Sequence, residues 1–77
     1  MLFRDEEGEG TMEVTINGKK RACDSPVTVA GLLHSLGINP RSVAVELNFR
    51  IIARDDMERE MVRDGDTLEI IRFVGGG

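Results

Sequence analysis

The chain has 77 residues, with 10 Lys+Arg against 14 Asp+Glu and a formal net charge of -4. A chain this short forms one small domain that buries roughly 60% of the surface its unfolded form exposes, so a deep substrate cavity is not expected. The acidity repels phosphate backbones, which makes nucleic acid a poor partner, and the lone Cys23 and lone His34 cannot build a disulfide, a zinc cage or an iron–sulfur cluster.

The amino-terminal stretch, residues 1–11, is dominated by carboxylates and glycine, too poor in apolar side chains to offset the entropy of ordering it, and a flexible tail is expected there. It turns acidic before an apolar run can form, and nowhere do ~18 apolar residues follow one another, so a soluble, cytoplasmic protein with no membrane partner is expected. From Met12 the pattern changes. Met12, Val14 and Ile16 alternate with Glu13, Thr15 and Asn17, the period of a strand with one buried side. Asn17-Gly18 tolerates positive φ at both central positions of a type I′ turn, which predicts a hairpin returning through Lys19 to Cys23.

Thr28 can cap a helix in which Val29, Leu32, Leu33 and Leu36 form one apolar stripe. Gly37 suits the left-handed residue that closes such a helix, Ile38 can fold back on its last turn, and Pro40 forbids continuation. A third strand follows at Val43, Val45 and Leu47, then a bend at Asn48-Phe49-Arg50 and a short apolar piece at Ile51-Ile52. Asp55 or Asp56 is expected to cap a single turn holding Met57 and Met61-Val62, and Asp64-Gly65-Asp66 to turn the chain into a last strand from Thr67 to Val74. The order predicts an α+β domain over residues 12–74, a mixed sheet of four or five strands with the helix across one face. In the last strand Leu68 and Ile70 share one face and Ile71 and Phe73 the other. With only one face covered, Ile71 and Phe73 are left exposed as a candidate docking patch.

The sequence ends in Gly75-Gly76-Gly77. At background glycine usage of about 7%, three in succession at the end arise by chance roughly 3 times in 10,000. A strand that ends in residues without side chains presents its carboxylate on a thin lead, able to enter a channel too narrow for any Cβ. The domain would then offer Gly77 as a reactant to another protein's active site, with Gly75 and Gly76 threading the lead.

The run from Met12 to Gly77 resembles the ThiS family, the small sulfur carriers of thiamin biosynthesis. The matching pieces are Met12-Glu13-Val14-Thr15-Ile16-Asn17-Gly18, Thr28-Val29-Ala30-Gly31-Leu32-Leu33, Val43-Ala44-Val45-Glu46-Leu47-Asn48, Arg54, Asp64-Gly65-Asp66 and Phe73-Val74-Gly75-Gly76-Gly77, in the family's order and spacing. The resemblance implies the ubiquitin-like β-grasp fold and a carrier that is not itself an enzyme. It binds no cofactor: a ThiF-type adenylating enzyme uses ATP and Mg²⁺ to convert the Gly77 carboxylate into an acyl-adenylate. Sulfur from a donor protein turns this into a thiocarboxylate, and thiazole synthase takes the sulfur. The chain departs from the family in having Asn48-Phe49 where many relatives have Asn-Gly, and in the stretch before Met12, near which relatives begin. A molybdopterin-synthase-type carrier, a ubiquitin-like modifier and a non-covalent β-grasp interaction module remain as alternatives.

The remaining chemistry-bearing residues have plainer readings. Cys23, on a hairpin strand away from the only histidine, suits a small buried hydrophobe better than a nucleophile. His34 falls off the helical stripe and is expected to be solvated. Lys19-Lys20-Arg21, Arg54 and Arg72 read as solvated cations, and Asp64-Gly65-Asp66 as turn residues rather than a metal loop.

Overall fold

Alternation in the sequence becomes alternation in burial from the first strand onward. In the computed structural model, which describes residues 10–73, β1 (Gly10–Ile16) buries Met12, Val14 and Ile16 and turns Thr11 and Glu13 outward. Asn17 (φ 49°) and Gly18 (φ 85°) form the expected turn, and β2 (Lys19–Ser25) returns antiparallel, Ile16 opposite Lys19 and Gly10 opposite Ser25. The hairpin is longer than the apolar pattern alone indicated, because its outer pairs are held by the backbone ladder and need no buried side chain.

A two-residue strand, β3 (Val27–Thr28), leads into helix α1 (Val29–Ser35). The Thr28 hydroxyl accepts the Gly31 N–H at 3.0 Å, the cap the sequence foretold. Val29, Leu32 and Leu33 are buried and Leu36 packs against the core at the helix end. Gly37 (φ 75°) then ends the helix: its N–H donates to the His34 carbonyl at 3.0 Å and that of Ile38 to Leu33 at 2.9 Å. This is the Schellman pattern, with Ile38 folded back on the core.

A one-turn 3₁₀ segment (Pro40–Ser42), capped by the Asn39 side chain, delivers the chain to β4 (Val43–Leu47), whose Val43, Val45 and Leu47 are buried. The connection to β5 (Arg50–Ile52) is two residues long, Asn48 and Phe49. Beyond it the structure corrects the sequence. Asp55 and Asp56 lie inside a 3₁₀ turn (Arg54–Asp56) entered from Ala53, so neither caps it, and Met61–Val62 is a strand, β6, antiparallel to β3. The helix explains the difference. The N–H groups of Val29 and Ala30 have no partner within α1, and they donate to the carbonyls of Glu60 at 2.9 Å and Met57 at 2.8 Å. The chain is thereby drawn across the helix start, bringing Met61 and Val62 beside the two residues that precede it.

The last strand, β7 (Thr67–Arg72), runs through the middle of the sheet, whose order is β2-β1-β7-β4-β5. It is parallel to β1 and antiparallel to β4. The ladder stops at Arg72, although the Phe73 N–H still donates to Ser42 at 3.1 Å; Val74, where the strand was expected to end, lies outside the described residues. Leu68 and Ile70 point into the core with the residues of α1, so the helix covers one face and leaves the other open. This is the expected α+β fold, with five strands in the main sheet and a second sheet of two.

Candidate docking face and carboxyl-terminal strand

The open face is built outward from β7. Leu68 and Ile70 turn to the core, so Ile71 and Phe73 stand outward, 51% and 62% exposed, as their period-2 spacing required. Ile51 on β5, opposite Glu46, shares this surface and is 74% exposed, and Phe49, in the turn two residues before it, is 83% exposed. Ile51 was legible in principle, since Ile52 beside it must face the core. Register fixes the pattern. Ala44 lies opposite Ile71, and Glu46 lies opposite both Glu69 and Ile51. Ile71 on one side and Ile51 on the other thus flank two half-buried carboxylates, with Phe73 at the end of β7 and Phe49 at the turn into β5.

Two asparagines hold β7 in place. The Asn17 side chain accepts the Ile70 N–H at 2.7 Å and donates to the Ile70 carbonyl at 3.2 Å, so it continues the ladder where β1 has turned away. Asn48 acts at the other border of the strand: its carbonyl oxygen accepts the Thr67 N–H at 2.9 Å and its amide donates to Asp66 at 3.0 Å. Both residues have positive φ, 49° and 51°, the conformation that aims a short amide side chain back at a neighbouring strand. Asp64-Gly65-Asp66 is a turn: Asp64 accepts the Glu13 N–H at 2.8 Å and Asp66 the Arg63 N–H at 2.7 Å, with Gly65 at φ 87°.

The remaining candidates are not brought together into a reaction centre. Cys23 is half-buried against the core; burial, and then the nearby Asp24 and Asp64 carboxylates, push its thiol up, away from the thiolate a nucleophile needs. His34 is exposed on α1 and lines a different groove from Cys23. Lys19, Lys20 and Arg21 are exposed on the edge strand β2, where cations discourage edge-to-edge pairing. Arg54 reaches the Arg41 carbonyl at 3.4 Å, and Arg72 is exposed. Among the described residues no group of three or more His, Cys, Asp or Glu side chains could hold a metal ion, and no helix is long and apolar enough to cross a membrane. Gly75, Gly76 and Gly77 lie outside the described residues, as do residues 1–9 of the tail expected over 1–11; Gly10 and Thr11, the rest of that stretch, belong to β1, held by pairing with Ser25 and Asp24.

Known proteins carry the same pattern. Residues 14–77 match the family model described as the ThiS family. A thiazole synthase from Paramagnetospirillum magneticum is 44% identical over 66 residues, which are 86% of this chain and 20% of that protein; the chain spans about a fifth of that relative's length. The sulfur carrier protein ThiS of Escherichia coli is 27% identical over 86% of this chain and its own whole length. The crystal structure of the thiamine biosynthesis protein ThiS from Geobacter metallireducens superposes with a TM-score of 0.74 at 36% identity, over 86% of this chain and all of that one. By fold and by sequence, the chain belongs to the ThiS family.

Proposed function

We propose that the chain is a sulfur carrier of thiamin biosynthesis, a co-substrate whose terminal carboxylate is the reacting group. The observation that carries this reading is that the family match runs through the last residue, so it includes the glycine end as well as the domain. The carboxylate of Gly77 attacks the α-phosphorus of ATP, held with Mg²⁺ in a ThiF-type adenylating enzyme. Pyrophosphate leaves and an acyl-adenylate forms. The terminal sulfur of a donor protein's persulfide then attacks the acyl carbon and AMP departs. Cleavage of the resulting S–S bond by a thiol frees the thiocarboxylate, whose sulfur is a better nucleophile than the oxygen it replaced.

The domain's part is to bring this carboxylate to its partners. Strand β7 sits at the centre of the sheet, clamped by Asn17 and Asn48, and it leads towards the glycines, which lack the side chains that would obstruct a narrow active-site channel. Ile71 and Phe73, beside that exit, are the docking residues. A carrier that visits several enzymes needs small, quickly released interfaces, which suits a patch of this kind. Thiazole synthase is the acceptor this reading favours, because a 66-residue segment of one thiazole synthase resembles this chain.

Deleting Gly76 and Gly77 tests the role. The shortened chain should keep its fold and cease to support thiazole formation with thiazole synthase, the adenylating enzyme, ATP, Mg²⁺ and a sulfur donor. Undiminished thiazole formation would leave only a non-covalent interaction module.

A further inference from the structure

We propose that the open sheet face between Phe49 and Phe73 seats on thiazole synthase through a recess of that enzyme with apolar walls and an arginine or lysine at its floor, with Phe49 as the anchor at one end. The inference rests on the reading of thiazole synthase as acceptor and adds the chemistry of the contact. Charge is the first argument. Glu46 and Glu69 face each other directly across β4 and β7. They form a pair that exchanges backbone hydrogen bonds, because the flanking residues of the same parity do: Phe73 donates to Ser42 and Asn48 to Thr67. Such pairs hold their Cα atoms about 5.5 Å apart. Like charges so placed weaken a sheet. Neither carboxylate takes part in an ion pair or side-chain hydrogen bond among the described residues, and both are half-buried between Ile51, Ala44 and Ile71. A guanidinium or ammonium group set among apolar walls would relieve the repulsion while covering the apolar side chains around it, and the planar fork of arginine suits two adjacent carboxylates best.

Backbone strain is the second argument. Phe49 holds φ at 69°, a region that costs an ordinary residue energy, and its ring is left in water. The neighbouring hairpin meets the same geometry with Gly18. A residue that is unfavourable for the turn and exposed to solvent points to a use outside the domain. Phe49 sits in the turn two residues before Ile51, at the end of β4 and β5 next to the Glu46–Ile51 pair.

The test is binding of the full-length chain to thiazole synthase from the same organism, by titration calorimetry at ~50 mM and ~300 mM salt. Wild type is compared with E46Q/E69Q and Phe49→Gly, and thermal midpoints are recorded alongside. The glutamine pair, close in shape, should bind about tenfold more weakly at low salt and lose most of the salt dependence. Phe49→Gly should also bind about tenfold more weakly while its thermal midpoint stays or rises, a combination that a purely structural role would not produce. Unchanged affinity in both variants, or no binding by wild type, would overturn the proposal. So would a concentration-dependent dimer lost in Phe49→Gly, which would assign the face to a second copy of the chain. Thiocarboxylate formation, followed separately by mass, reports on the carrier reading whichever way the binding falls.

Discussion

Two turns of this domain solve one geometric problem with different residues. Asn17-Gly18 joins β1 to β2 and Asn48-Phe49 joins β4 to β5, and all four residues have positive φ. In each turn the asparagine side chain bonds the backbone of β7, one from either side. The second position differs: glycine accepts φ 85° without strain, whereas phenylalanine is forced to 69°. The common backbone is therefore set by the right-handed twist of the strands and by the asparagine, and it tolerates a side chain poorly suited to it. The first turn carries the residue suited to its backbone, and the second carries an exposed ring at some cost in stability.

The largest effect should come from breaking the clamp. Asn17→Ala removes both bonds to Ile70, a buried residue, and should destabilise the domain by about 2 kcal/mol, a fall of roughly 10 °C in Tm. Asn48→Ala loses bonds made at an exposed site and should cost about 1 kcal/mol. Equal losses in chemical denaturation would show that the two clamps do not differ as burial suggests. Exchanging the second residues sharpens the comparison. Gly18→Phe should destabilise by about 1 kcal/mol. Phe49→Gly should stabilise by at most about 0.5 kcal/mol, because the strain relieved is partly offset by the greater freedom of glycine in the unfolded chain. A marked loss in Phe49→Gly would mean that the ring supports the fold after all.

The smallest effect lies on the first hairpin, at Cys23. Its thiol is raised in the folded chain by burial and by Asp24 and Asp64. The unfolded thiol therefore ionises first, near pH 8.5. The resulting stability is fully present below that pH and is lost as pH rises through the folded value. Thermal melts of wild type should decline more steeply above pH ~9 than those of Cys23→Ala. Parallel declines would contradict the assignment.

Much of this architecture was legible in the residues. The Thr28 cap, the stripe of Val29, Leu32, Leu33 and Leu36 and the Gly37 stop are local signals, each read within one or two turns of chain. Ile71 and Phe73 followed from period 2 and one covered face. The β3–β6 pair was hidden because two residues have no period, and its cause is the unsatisfied N–H groups at the start of α1, a contact between distant segments. The Glu46–Glu69 juxtaposition depends on the register between β4 and β7, which no local pattern states. Phe49 was visible as a departure from Asn-Gly, but its strain was not, since phenylalanine carries no preference for positive φ.

The central claim concerns the terminal carboxylate, and intact-mass spectrometry addresses it directly. The purified chain is incubated with its adenylating enzyme, ATP, Mg²⁺ and a sulfur donor, beside the form lacking Gly76 and Gly77. The account predicts a mass gain equal to one oxygen replaced by sulfur in the full-length chain alone. A full-length chain that stays unmodified with an enzyme proven active on another carrier, or one that appears joined to lysines instead, would contradict it.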